Sequence, residues 1–215
     1  MSMQHHEDKL HQKTNLFAQF QKYIGEFIYG GIDGSVTTFA VVAGAAGAQL
    51  DSSVVIILGF ANLFADGFAM SVGSYLSTKS EIDNYNKHKN IEYWEVDNLP
   101  EKEREEVREI YAAKGFEGQL LEQVVDKITE DKDRWVEVMM KEELELQEES
   151  KSPFQMGLVT FISFLLMGFI PLIVYVIDYS GSGLAIDLFT YSSVLTFITF
   201  AGIGFAKSYV TATSR

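Results

Sequence analysis

Four stretches of the sequence stay apolar for about 20 residues or more, the length that carries an α-helix across roughly 30 Å of hydrocarbon. They cover approximately residues 27–50, 54–76, 154–177 and 184–206. Each is longer than a signal-peptide core, and the first is followed at once by a second, so the pattern predicts retained spans and an all-α, multi-pass membrane bundle. Ahead of them the chain is polar, except that Leu16, Phe17, Phe20, Tyr23, Ile24 and Phe27 recur at helical spacing and predict a helix lying on the membrane surface.

Between the second and third stretches the apolar positions thin to helical periodicity, which predicts a small bundle of amphipathic helices. The second span continues into water from Lys79 to about Asp97. Asn98 with Glu101 has the spacing of a capping box, Pro100 fits a first helical turn, and Gly115 ends that helix. A second helix near 119–129 would bury Leu120, Leu121, Val124, Val125 and Ile128. A third, capped by Asp131 or Asp133, would run through Trp135 to about Glu149, before Ser152-Pro153 opens the third span. The predicted organisation is an N-terminal interfacial segment (1–26), spans one and two (27–79), a helical insert (80–150), and spans three and four with a short tail (151–215).

Charge sharpens this division. Residues 80–150 hold 22 acidic and 10 basic side chains, a net of −12 out of the chain's −13. Such a surface repels nucleic acid and anionic headgroups and attracts cations. The short links at 51–53 and around 178–187 lack Lys and Arg, whereas Lys9, Lys13, Lys22, Lys79, Lys151, Lys207 and Arg215 fall on the opposite side. Positive-inside bias therefore predicts that both termini and the insert are cytoplasmic. There is no cysteine, so disulfides and thiolate metal sites are excluded. His5, His6 and His11 read as a solvated tail.

The chemistry sits where charge is least expected. Asn62, Asp66 and Met70 are four residues apart on span two, and Glu26, Gly30, Asp33 and Thr37 make a similar stripe on span one. A carboxylate at the bilayer centre costs at least about 2.5 kcal/mol, and the four apolar stretches hold no Lys or Arg to offset it. One reading is structural: protonated acids bonded to neighbouring backbone. The other supplies the missing positive charge as a transported cation, replaced by a proton when the cation leaves. Carboxylate, amide and thioether ligands without thiolate or membrane histidine point to Fe(II) or Mn(II). In the insert, Glu103, Glu106 and Glu109 recur every three residues, and Met139, Met140 and Glu143 repeat the acid-plus-thioether set. Gly30, Gly31, Gly34, Gly44 and Gly47 on span one permit close helix approach and predict a homodimer joined there, while Gly34 and Gly67 leave room for an ion.

The segments GGIDGSVTTFAVVAG (30–44), FAMSVGSYLSTKSE (68–81), WVEVMMKEELEL (135–146) and GFAKSY (204–209) resemble the vacuolar iron transporter family, whose members exchange Fe(II) or Mn(II) for protons. The resemblance implies a homodimer with a cytoplasmic metal-binding domain between spans two and three. It implies Asp33 and Met70 as pathway ligands, Glu26 at the pathway's cytoplasmic mouth, and Glu103, Glu106, Glu117, Met139, Met140 and Glu143 as insert ligands. No permanent cofactor is implied; the divalent metal is substrate. Two departures stand out. Plant members carry glutamate where Asn62 stands, so Asp66 is expected to supply that carboxylate, and Ala113 replaces another family glutamate. The family also has a fifth span after GFAKSY, whereas this sequence stops at Arg215, so it is either a piece of a longer protein or a four-span variant. A bacterial inner membrane is expected, with a vacuolar membrane as the alternative. A membrane-anchored metal buffer or sensor is the alternative function. An intramembrane metal-dependent transferase is not expected, because no arginine follows Asp33-Gly34 or Asp66-Gly67 to hold a substrate phosphate.

Overall fold

The computed structural model describes residues 21–182 and 187–211. Among them the chain is helical except for short links and the segment 144–152, with no strand, and four helices are long and apolar enough to cross a membrane. Residues 1–20 of the expected interfacial segment, with His5, His6 and His11, lie outside the described residues; of the rest, Tyr23 is buried and Ile24 already opens the helix of span one. The helices fall into two compact units, one built on Met1–Leu76 with Lys151–Arg215 and the other on Ser77–Ser150.

In the first unit, α1 (Ile24–Gly47) and α2 (Ser52–Asn98, of which the first part belongs here) are joined by a turn at 48–51. Span three begins as α6 (Pro153–Phe169), tightens to a 3-10 turn at Ile170–Leu172, and resumes as the short α7 (Ile173–Ile177). Pro171 causes the break, since it has no N–H to give the Met167 carbonyl one turn back. That carbonyl instead takes the Ile170 N–H and, from span one, the Ser35 hydroxyl at 3.0 Å. The Pro171 carbonyl accepts the buried Ser192 hydroxyl of α8 (Leu188–Thr211) at 2.7 Å. In hydrocarbon such carbonyls have no water to turn to, so these bonds tie spans one and four to the kink.

Gly30 and Gly34 of span one have a different use from the one expected. A Cβ on Gly30 would lie 2.3 Å from Ser163 Oγ and 2.6 Å from Thr160 O, and one on Gly34 would lie 2.4 Å from Phe164 O. Gly30 and Gly34 therefore seat span one against span three of the same chain, and Gly34 leaves no space for an ion. Gly44 and Gly47 meet nothing within 4 Å. We predict that Gly34→Ala destabilises the chain by about 2 kcal/mol in detergent unfolding, because backbone opposes the added methyl. Gly44→Ala is expected to be neutral or slightly stabilising; equal behaviour of the two variants would contradict this packing.

In the second unit the end of α2 is followed by α3 (Pro100–Ala113), α4 (Gly118–Thr129) and α5 (Lys132–Val138). Val96, Val107, Val125, Ile128, Trp135, Val136, Met139 and Met140 form the core. Leu120, expected inside, is exposed, while Leu121 and Val124 flank the core. The capping box does not form: α2 extends through Asn98, whose amide donates to the Trp94 carbonyl, and α3 starts after Leu99 without a side-chain cap. Gly115 does end α3, at φ +91°. Asp131, rather than Asp133, caps α5, accepting the Arg134 N–H at 2.8 Å. The third helix also stops short of Glu149. After Val138 it widens into a π-turn, Met139–Glu143, and Glu145 then takes a left-handed φ of 53° that no helix continues through.

Candidate metal sites

In the first unit, the buried face of α1 (Gly30, Gly31, Gly34, Ser35, Thr38, Val42 and Ala45) turns Asp33 to the side, half-buried. On α2, Val55, Gly59, Leu63 and Gly67 make the buried stripe. Asn62, Asp66 and Met70 run beside it, one residue and so about 100° around the helix. The two polar stripes meet. The Asn62 amide donates to the hydroxyls of Thr37 and Thr38, both at 3.4 Å, and the Asp33 and Asp66 carboxylates lie within electrostatic reach of each other. Asp66 is exposed, while Met70 is half-buried against the apolar core. The Thr37 hydroxyl is turned back to the Asp33 carbonyl at 2.8 Å. Glu26, in the first turn of α1 where the helix dipole favours an anion, has one carboxylate oxygen buried without a hydrogen-bond partner.

The second unit contains a tighter group. One oxygen from each of Glu92, Glu95 and Glu103 lies within 4.8 Å of the others, a separation that a single oxygen-liganded divalent cation can bridge. Glu92 and Glu103 are only 2% and 1% exposed, and each has an oxygen shut off from solvent with no hydrogen-bond donor. Leaving such groups unpaired and ionised is costly. Burial, reinforced by Glu143, Glu95 and Glu106, pushes the Glu92 carboxyl up to about 7. Burial with Glu106, Glu92 and Glu95 does the same to Glu103, also to about 7. Glu143, at the open side, is raised by partial burial and by Glu106. Glu92, Glu95 and Glu103 thus share one small volume, with Glu106 and Glu143 within electrostatic reach of it and the Lys102 ammonium as the cation acting against their repulsion.

The expected insert ligands separate accordingly. Glu103, Glu106 and Glu143 come together. Glu109 points to solvent, because steps of three residues drift about 60° each around an α-helix and six residues carry it off the face. Glu117 is exposed in the link before α4. Met139 and Met140 are sealed in the apolar core. Glu92 and Glu95 lie outside the set that spacing picks out. The available signal was Glu92 itself: with Tyr85 seven residues before and Val96 four after, it shares a helix face with two residues of the insert's apolar core.

Residues 24–215 match the VIT family over nearly the whole chain. The chain belongs to the VIT family. It is 38% identical over 191 residues to the vacuolar iron transporter of Toxoplasma gondii, an overlap covering 86% of this chain and 63% of that protein. The vacuolar iron transporter of Plasmodium berghei is 33% identical over 97% of this chain and 74% of its own length. Vacuolar iron transporter 1 of Arabidopsis thaliana is 34% identical over 87% of this chain and 74% of its own. The VIT-family chain therefore spans less than two thirds of the Toxoplasma relative and about three quarters of the other two. With its four apolar helices it is an integral, multi-pass membrane protein.

Proposed function

We propose that this VIT-family chain is a transporter, not an enzyme, that moves Fe(II), and also Mn(II), out of the cytoplasm in exchange for protons. The observation that carries the reading is the pair of buried carboxylates Glu92 and Glu103, each with one oxygen that meets no donor, converging with Glu95 within 4.8 Å, in a family whose relatives bear the name iron transporter. Oxygen donors of this kind suit hard or borderline divalent ions. In this scheme the acidic insert, residues 80–150, collects the ion on the cytoplasmic side. Glu26, Asp33, Asn62, Asp66 and Met70 pass it along spans one and two, and protons arriving from the far side displace it, since a carboxylate cannot hold both well.

Asp66 is exposed on a helix that sits in hydrocarbon, and a charge facing lipid is costly. A second copy of the chain meeting spans one and two would cover it, which supports a homodimer whose pathway lies between copies. The relatives' names favour a vacuolar membrane over a bacterial inner membrane.

The test is uptake of Fe(II) and Mn(II) into liposomes that contain the purified protein and an acidic interior. Metal accumulation coupled to proton efflux is expected. Metal binding without accumulation would make the chain a membrane-anchored buffer instead.

A further inference from the structure

The glutamate cluster carries its own competitor. Lys102, in the first turn of α3, places its ammonium 2.7 Å from Glu106 Oε1 and 3.8 Å from Glu103 Oε1. It acts electrostatically on Glu92 and Glu143 as well. Its side chain is 60% exposed, whereas that of Glu103 is 1% exposed, so the lysine lies at the rim of the cluster. We propose that Lys102 is a tethered counter-ion that holds the empty cluster together and must swing out when a divalent cation enters, setting the affinity of the site low enough for release.

Three physical points carry this, and all rest on the reading of the cluster as a metal site. An ammonium has three donors and no acceptor: this one satisfies a Glu106 oxygen directly and pairs with Glu103 at longer range, where a metal would otherwise draw both. It cannot remain among them beside a doubly charged ion, because like charges a few ångströms apart repel by several kcal/mol at a protein's effective dielectric. And it has somewhere to go: a flexible, mostly solvated lysine leaves for bulk water at little cost, since an exposed pair of this kind is worth at most about 1 kcal/mol. The other basic side chains of α3 are occupied elsewhere: Arg104 pairs with Asp126, and Arg108 with Glu105 and Glu122.

The experiment is calorimetric titration of the full-length protein in detergent with Mn(II) at pH 8, comparing wild type, Lys102→Gln and Lys102→Arg. Lys102→Gln is expected to bind Mn(II) about fivefold more tightly, the limit set by an exposed pair, and to melt at a lower temperature without metal. Lys102→Arg, which keeps the charge, is expected to stay within about threefold of wild type. A fold loosened by the substitution would weaken binding, so a gain in affinity is specific to a displaced competitor. Equal or weaker binding by Lys102→Gln, with wild type binding normally, overturns the role of Lys102 and leaves the metal site standing. A wild-type protein that binds no Mn(II), Fe(II) or Co(II) sinks the metal site and this proposal with it.

Discussion

Exchanging Glu103 for glutamine is expected to weaken Mn(II) binding by the insert on the order of 100-fold, about 2.7 kcal/mol. The size follows from position. Glu103 is the most deeply buried member of the cluster, and a full charge about 4 Å from another is worth about 4 kcal/mol at an effective dielectric near 20, per unit of metal charge. The same substitution is expected to raise the melting temperature of metal-free protein at pH 8. Glutamate's ordinary value lies near 4.5, and in the folded chain Glu103 and Glu92 are pushed up to about 7. The folded state thus keeps protons that the unfolded state has released. Stability therefore falls as pH rises from about 4.5 to about 7 and levels off above that. Wild-type, metal-free protein should melt lower at pH 8 than at pH 5, with a shallower dependence in Glu103→Gln. Saturating Mn(II) should recover the loss at pH 8 and do little at pH 5, where protons already hold the site. A Glu103→Gln protein that titrates with Mn(II) like wild type would remove the cluster from the mechanism.

How far the sequence could foresee this site depends on whether neighbours in space are also neighbours in helical register. The four spans were legible because length and the absence of charge over about 20 residues are local properties. The stripe of Asn62, Asp66 and Met70 was legible for the same reason, since residues four apart must share a face. The acidic cluster was only half legible. Glu103 and Glu106 belong together by spacing, but spacing also recruited Glu109, which helical drift turns to solvent. Glu92 and Glu95 join from a different helix, and no local pattern links residue 92 to residue 103 or 143. The thioethers illustrate the converse. Met139 and Met140 had the composition of a soft ligand set, yet a buried methionine packs as well as it coordinates, and here both fill the core of the insert. The end of the third insert helix was illegible because a π-turn leaves the apolar pattern nearly unchanged while moving the register of later residues by one. Span-one glycines signalled close approach correctly but not its partner, which for Gly30 and Gly34 is span three of the same chain.

Asparagine at Asp33, or at Asp66, is expected to reduce metal flux into acid-loaded liposomes at least tenfold while leaving Mn(II) binding by the insert intact. The asymmetry separates passage from capture. The four apolar stretches hold no Lys or Arg, so any charge that stabilises these carboxylates must come from outside them. Asn62 already spends its donor on Thr37 and Thr38, at long distances, and offers no net charge. An amide at 33 or 66 preserves shape and hydrogen bonding and removes only the anion, so it isolates the electrostatic contribution. Because the two acids lie within reach of each other, an entering divalent ion relieves their mutual repulsion as well as its own loss of hydration, and removing either acid forfeits both gains. The double variant should therefore lose little more than either single one, as expected for groups acting on one ion. If both single variants carried metal at the wild-type rate, Asp33 and Asp66 would be protonated struts between helices, and the path of the ion would have to be sought elsewhere in the protein.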